Sequence, residues 1–235
     1  MTRHRGSVVI ATMMVLLGSF SASADVTISV TSAEPGLSGF SYEFNSSLKS
    51  GIFAGALLTQ VGSGTAFDSY CIDLNHQFSP PTHWQANEAT TFTNTSDSSN
   101  HTIVGSASAL AYLYNTYSGL QNTGSNSYSQ NTLAAALQIA LWTVEYDGNN
   151  GNNQSASSAF NFHNISNTTA DKAAITLANS YITAMQSVNY SAQTAEFYLA
   201  EHVGSSYQDL IGPSGASPTV TTPEPSTLVD RKAHV

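Results

Sequence analysis

The chain has 235 residues, of which only 9% are charged, and its formal net charge at pH 7 is −9. Binding sites for nucleic acid or for an anionic membrane surface need a cluster of Lys and Arg, and six such residues in the whole chain do not supply one. The composition therefore argues against both classes of partner. An exterior that is polar but weakly charged fits a protein that works outside the cell.

The first 24 residues have the pattern of an export signal. Arg3 and Arg5 precede an apolar stretch that is too short to span a bilayer with margin, and the small residues 22–24 form a cleavage site before Asp25. We therefore expect a secreted, extracellular or cell-surface protein with no membrane insertion of the mature chain. Its folded domain is expected to cover residues 25–211.

The first half of this domain predicts β-strands. Alternation places Val26, Ile28 and Val30 on one face of a first strand. Further strands are expected in 40–45, 52–61 and 67–74, and in 80–92 after a turn. The strand in 67–74 would present two faces. Tyr70, Ile72 and Leu74 share one, and the other carries Phe67, Ser69, Cys71 and Asp73.

The second half changes to a helical period. Helices are predicted over 102–118, 131–147 and 168–188, the last with Thr168 or Thr169 as N-cap and Asp171 in its first turn. Residues 121–130 and 148–158 are predicted to be loops, and a further strand is predicted at 194–203. The order predicts an α+β fold. A β-rich subdomain of antiparallel strands, barrel-like or sandwich-like, spans about 25–95 and 194–203, with an inserted helical subdomain of about three helices at 103–188.

The remaining segment, 212–235, is rich in Pro, Ser and Thr and is predicted to be a linker. Pro223-Glu224-Pro225 resembles the start of the bacterial PEP-CTERM sorting signal, which continues with an apolar span and an Arg-rich end. Here "DRKAHV" follows instead. The resemblance implies an exported bacterial protein whose anchor is missing, so that either the product is released or the sequence is truncated.

Cys71 is the only cysteine of a chain that looks exported, although cysteines of exported proteins normally pair. Two short motifs bear on its role. Tyr70-Cys71-Ile72 is an aromatic-Cys-apolar triplet, and residues 137–142 read Leu-Gln-Ile-Ala-Leu-Trp. Together they resemble the motifs of the thioester domains of Gram-positive surface adhesins, with the cysteine on a strand and the glutamine on a helix. The resemblance covers roughly residues 25–205.

The resemblance implies an internal thioester between Cys71 and Gln138, formed with loss of ammonia. An amine of a partner protein or other surface ligand, typically a lysine, would then displace Cys71 and attach to the glutamine. This is one covalent binding event rather than enzymatic turnover, and it needs no cofactor or metal. Trp142 and Leu141 would flank Gln138 on the helix, with the indole shielding the bond from water. Asp73 would orient the site or polarise the amine, and Tyr70 would support Cys71.

Two other interpretations remain open. Cys71 can be a buried small hydrophobe, since free cysteine is among the most buried residue types, in an extracellular structural or adhesive module. A cysteine hydrolase would instead need a histidine base beside the cysteine. The candidates are His76, His83, His101, His163 and His202. Gln138 has apolar neighbours at helical spacing, so it is expected to face inward, and a buried glutamine needs partners or a chemical reason.

Overall fold

The computed structural model describes residues 25–44, 47–74, 76, 78–90, 106–123, 127–147, 160–164, 168–200 and 207–215. The predicted export signal and the Pro223-Glu224-Pro225 segment lie outside these residues. Within them, no helix is both long enough and apolar enough to cross a membrane.

Six antiparallel strands close into a barrel in the order β1-β4-β5-β9-β8-β6. Their bounds are β1 (Asp25–Ser32), β4 (Leu57–Val61), β5 (Phe67–Cys71), β6 (Thr82–Ala89), β8 (Glu196–Ala200) and β9 (Leu210–Gly212). The barrel thus joins the N-terminal strands to strands from the other end of the domain. The predicted β-rich architecture is confirmed in its barrel form, whereas β9 was not predicted.

Three further strands form a second antiparallel sheet in the order β3-β2-β7. They are β2 (Gly36–Phe44), β3 (Ser47–Gly55) and β7 (Phe160–Asn164). The prediction of one continuous strand over 52–61 is wrong, because the chain changes sheets at Ala56, whose N–H donates to the Pro35 carbonyl at 2.9 Å. β7 was not predicted.

Between β6 and β8, the described residues form four helices: α1 (Ala107–Tyr117), α2 (Leu120–Thr123), α3 (Gln130–Asp147) and α4 (Thr169–Gln186). Thr168 caps α4 as expected, since its side chain accepts from the N–H of Asp171. The first predicted helix begins only after Ser106, whose hydroxyl caps Ala109. The short α2 occupies part of a predicted loop.

Helix α3 is the centre of the fold. Every residue from Thr132 to Tyr146 is buried, and α3 packs against α1, α4 and strands β2, β3 and β5. A helix that is apolar on all sides belongs in a core. Four polar or acidic side chains on it are nevertheless almost fully buried: Thr132, Gln138, Thr143 and Glu145. Buried polar groups of this kind need a structural or chemical reason.

Candidate functional site

Cys71 is the last residue of β5, which is paired with a different strand on each side. β4 pairs with it through Leu57 opposite Ser69, and β9 through Leu210 opposite Cys71. Because β4 begins at Leu57, Cys71 lies beyond the end of that ladder. The main-chain N–H and C=O of Cys71 both point to the side where β4 has ended, so they need another partner.

Gln138 of α3 provides that partner. Its Oε1 accepts the Cys71 main-chain N–H at 3.0 Å, and its Nε2 donates to the Cys71 carbonyl at 2.7 Å. The side-chain amide thus binds both main-chain groups of one residue, as a neighbouring antiparallel strand does. The expectation that Gln138 faces inward beside Cys71 is confirmed, since its side chain is 1% exposed.

A second glutamine, Gln208, meets the sulfur. The Cys71 thiol donates to Gln208 Oε1 at 2.6 Å, and Gln208 Nε2 donates to the main-chain carbonyl of Asp73 at 2.9 Å. The Gln208 carbonyl carbon is one C=O bond, about 1.2 Å, from the atom that the sulfur contacts. It therefore lies no farther than about 3.8 Å from the sulfur, close to the 3–3.5 Å of a near-attack geometry.

The pairing of β5 with β9 explains this proximity. The pairing continues past Cys71, where the Ile72 N–H donates to the Asp209 carbonyl at 2.9 Å. Gln208 is then the diagonal neighbour of Cys71, two residues from its direct partner Leu210 and on the same face. Two residues separated by 137 positions in the chain are therefore brought together by strand register.

These contacts favour Gln208 over Gln138 as the group at the sulfur, while the predicted cross-link to Gln138 stays a prediction. The sequence motifs were interpreted as placing its side-chain carbonyl at the sulfur. In the structure its amide is instead engaged by the Cys71 main chain, while the thiol is hydrogen-bonded to Gln208. Sequence reasoning missed Gln208 altogether. The available signal was a polar residue directly before the apolar pair Leu210-Ile211, at a position that only the long-range pairing identifies as adjacent to Cys71.

A cavity of about 330 Å³ is lined by both Cys71 and Gln208. Trp142 lines it as well, and its other described lining residues are Ala33, Gly51, Ile52, Phe53, Leu57, Leu74, Phe78, Ser79 and Pro80. None of these twelve residues is charged. Trp142 is 2% exposed, and its place in the cavity wall agrees with the predicted shielding position. The adjacent Leu141 is fully buried in the core and is absent from the described lining.

The electrostatic environment keeps Cys71 in its thiol form. Burial raises the pKa of the thiol well above its ordinary value, and the nearby carboxylates of Asp73 and Glu145 raise the pKa further. Glu145 lies two turns after Gln138 on α3 and is 1% exposed. A thiol that stays protonated can donate to Gln208 Oε1, as the geometry requires, but it is a poor nucleophile until it loses its proton.

Asp73 contributes to the site through two groups. Its main-chain carbonyl binds the amide nitrogen of Gln208, and its Oδ2 lies 2.5 Å from His76 Nδ1. Asp73 is 4% exposed, whereas the His76 side chain is 16% exposed. The role predicted for the Asp73 side chain, to orient the site or polarise an amine, stays a prediction, because the described contact with Gln208 is made by the main-chain carbonyl.

Tyr70 lies on the opposite side of β5. Its hydroxyl donates to Gln121 Oε1, and Gln121 Nε2 donates to Asp68 Oδ2 at 2.8 Å. Its ring packs edge-on against Tyr114 of α1, with centroids 6.2 Å apart. Tyr70 therefore supports Cys71 indirectly, because it fastens β5 to α1 and α2.

The histidines give little support to a hydrolase. His76 is paired with Asp73, while the described partner of the Cys71 thiol is an amide oxygen. His83 is exposed on β6, and His101 and His202 lie outside the described residues. A purely apolar setting for the cysteine is also excluded by its contact with Gln208. The geometry instead presents a thiol to a held carboxamide at the bottom of an apolar cavity.

No family model matches this chain, and no curated protein matches it. Solved structures that are similar to it include two domains from Streptococcus pyogenes. The N-terminal thioester domain of fibronectin-binding protein SfbI from Streptococcus pyogenes has a TM-score of 0.40 and 15% identity, covering 76% of this chain and 97% of that one. The N-terminal domain of the Streptococcus pyogenes pilus tip adhesin Cpa has a TM-score of 0.40 and 11% identity, covering 78% and 97% respectively.

Proposed function

We propose that this protein is an adhesin-like thioester module in which Cys71 and Gln208 form an internal thioester. The sulfur attacks the Gln208 side-chain carbonyl carbon, the C–S bond forms, and the C–N bond breaks. The thiol proton leaves with the amide nitrogen as ammonia. The observation that carries the proposal is the 2.6 Å contact between the thiol and Gln208 Oε1.

Positioning lowers the barrier to forming such a bond. An amide is a poor electrophile, and holding two reactants in a near-attack arrangement can remove about 7–11 kcal/mol from a barrier. Here the Cys71 main chain is held by Gln138 on one side and by β9 on the other. The Gln208 amide is held by Asp73. Gln138 thus orients the nucleophile in this mechanism, while Gln208 becomes acylating.

The cavity suits the second step, in which an amine replaces the sulfur. A primary amine attacks the thioester carbonyl, an amide forms with Gln208, and Cys71 is released as a thiol. Apolar walls exclude water, which would hydrolyse the acyl group, but they can accommodate the aliphatic stem of a lysine. The partner we propose is therefore an amine-bearing protein or other surface ligand, captured once and covalently outside the cell.

Intact mass tests the bond directly. Freshly purified native protein should be lighter than its sequence mass by one ammonia, whereas Cys71→Ala and Gln208→Ala should retain the full mass. Gln138→Ala should still form the bond, although more slowly. After treatment with methylamine, peptide sequencing should locate the added group on residue 208, with one thiol released per chain.

Two results would lead to different conclusions. Methylamine on residue 138 would restore Gln138 as the cross-linking glutamine. An unshifted mass in native wild-type protein, with a free thiol from the start, would reject the thioester. It would favour the alternative of an extracellular structural or adhesive module, in which the buried cysteine only donates a hydrogen bond.

A further inference from the structure

Two aromatic rings stack directly beside the proposed acylating glutamine. Tyr207 precedes Gln208 in the chain, and its ring lies parallel to that of Trp84 on β6, with centroids 5.4 Å apart and an interplanar angle of 5°. Phe78 packs on the indole of Trp84 at 5.3 Å and also lines the cavity. The aromatic trio of Phe78, Trp84 and Tyr207 therefore connects the cavity wall, the barrel and the chain carrying Gln208.

The main chain alone holds Gln208 weakly. β9 is only three residues long, begins two residues after Gln208, and pairs with β5 at two described positions. Asp209 adds contacts on either side, accepting the Ile72 N–H at its carbonyl and the Ala200 N–H at its carboxylate. All of these contacts lie on the C-terminal side of Gln208. On its N-terminal side, the described residue that anchors the chain is Tyr207.

Trp84 has features of a residue retained for its ring. It is 4% exposed, and its indole N–H has no hydrogen-bond partner among the described residues. Burying such a donor without a partner destabilises the fold, and phenylalanine at this position would avoid that loss. A stacked aromatic pair, in return, is stabilising beyond the area it buries. Tyr207 is 36% exposed, so only its inner face is covered.

We infer that Tyr207 and Trp84 are positioning residues for the thioester reaction. Their stack fixes the N-terminal side of Gln208, so that its carboxamide meets the Cys71 sulfur instead of swinging into the cavity. This inference rests on the proposed function. It goes further by assigning the placement of the acylating group to a ring pair that touches neither reacting atom.

The test compares Tyr207→Leu, which removes the ring, with Tyr207→Phe, which keeps it. Tyr128→Leu is the matched control, because Tyr128 is also exposed, at 42%, and lies on the helical side of the fold. Each protein is made in a short cell-free pulse, and loss of ammonia is followed by mass. Since a misplacement of 1 Å can cost 10²-fold in rate, Tyr207→Leu should slow bond formation roughly 10- to 100-fold, whereas Tyr207→Phe and Tyr128→Leu should match the parent.

A second measurement does not depend on the thioester. In protein sampled before the bond forms, Tyr207→Leu should release Gln208 from the thiol and accelerate alkylation of Cys71 by iodoacetamide, with Tyr207→Phe unchanged. If Tyr207→Leu loses ammonia and alkylates at the parental rates, the stack has only a structural role and the inference is wrong. If no variant, including the parent, loses ammonia, the proposed function fails, and the alkylation rates alone decide whether the stack positions Gln208.

Discussion

Gln138 and Cys71 are joined by two hydrogen bonds between one side-chain amide and one main-chain residue. Oε1 accepts the Cys71 N–H at 3.0 Å, and Nε2 donates to its carbonyl at 2.7 Å. The helix therefore completes the strand ladder where β4 has ended. This places the main chain of Cys71 against α3 while its side chain is directed to Gln208.

Removing the Gln138 amide should destabilise the fold and impair the site. Gln138→Ala leaves the Cys71 N–H and carbonyl buried without these partners, and each such group costs about 1–3 kcal/mol. Chemical denaturation should detect a loss in unfolding free energy of this order, and mass should show slower thioester formation. Gln85→Ala is the control, since this exposed glutamine bonds only to the nearby Thr27 side chain among its described contacts. Equal stability of the two variants would contradict a stabilising role for the two hydrogen bonds between Gln138 and Cys71.

Trp142 should protect the thioester without being needed to form it. Trp142→Ala opens one wall of the cavity to water, so the bond should hydrolyse faster and the protein should accumulate with Glu at position 208 and a free Cys71. Loss of a buried Trp costs roughly 3–5 kcal/mol, so folding must be established first. Time-resolved intact mass measures the lifetime of the bond.

Trp142→Phe separates shielding from packing, because it keeps an apolar ring in the wall. It should retain most of the lifetime of the parent. A folded Trp142→Ala protein whose thioester lasts as long as that of the parent would limit Trp142 to a core role.

The raised pKa of Cys71 predicts a pH-dependent stability in protein that lacks the bond. In the folded state, the thiol pKa is raised above its ordinary value of 9.0 by burial and by the nearby carboxylates of Asp73 and Glu145. Between the ordinary pKa and the folded-state pKa, the Cys71 thiol is therefore protonated in the folded protein but has lost its proton in the unfolded protein. The contribution of this thiol to folding stability is complete below the ordinary pKa and is lost as pH rises through the folded-state pKa. Gln208→Ala should thus lose stability above about pH 9, close to the ordinary thiol pKa.

Wild-type protein with an intact thioester has no titrating thiol and should not show this loss. Buried tyrosines such as Tyr114 also have raised pKa values, but they affect both proteins above about pH 10 and cancel in the comparison. Denaturation midpoints of wild type, Gln208→Ala and Cys71→Ala/Gln208→Ala between pH 7 and 10 measure the effect. A Gln208→Ala profile parallel to that of the double variant would show that the thiol pKa is not raised.

The uncharged cavity predicts which amines react. A protonated amine has no lone pair with which to attack, and no acidic side chain among the described lining residues would hold it at the site, so capture should depend on the neutral amine. The rate with butylamine should rise about tenfold per pH unit while the amine remains largely protonated, up to a pKa near that of lysine, about 10.4. Putrescine, which carries a second charge at its far end, should react more slowly at equal concentration of neutral amine. Equal rates would indicate that the far end of the amine stays in solvent.

The elements with strong local patterns were predictable. β1 alternates along its length, α3 is rich in Ala and apolar residues, and Thr168 is a local cap for α4; each is present in the structure. The break at Ala56 and the strand β7 depend on pairing between distant segments, which no local pattern contains. The Tyr-Cys-Ile and Leu-Gln-x-x-Leu-Trp motifs brought Cys71 and Gln138 together correctly.

The residue that contacts the Cys71 sulfur was not predictable in the same way. The two motifs predict that Gln138 approaches Cys71. They cannot distinguish a contact with the main chain of Cys71 from a contact with its sulfur. Gln208 reaches the sulfur because β9 pairs with β5 in one register, and a shift of one residue would turn its side chain to the other face. Its role is a property of the tertiary pairing.

The position of Gln208 also has a mechanical consequence. A partner attached to this side chain is bonded near the C-terminal end of the described domain, whose last described residue is 215. A pull between the partner and any support on the C-terminal side would travel along the short stretch 208–215. Apart from β9 itself, the barrel and the helices would lie outside that path. Tension could detach β9, but the partner would still be joined to the support by an unbroken chain of covalent bonds. Unfolding of the domain would therefore not limit the strength of the attachment.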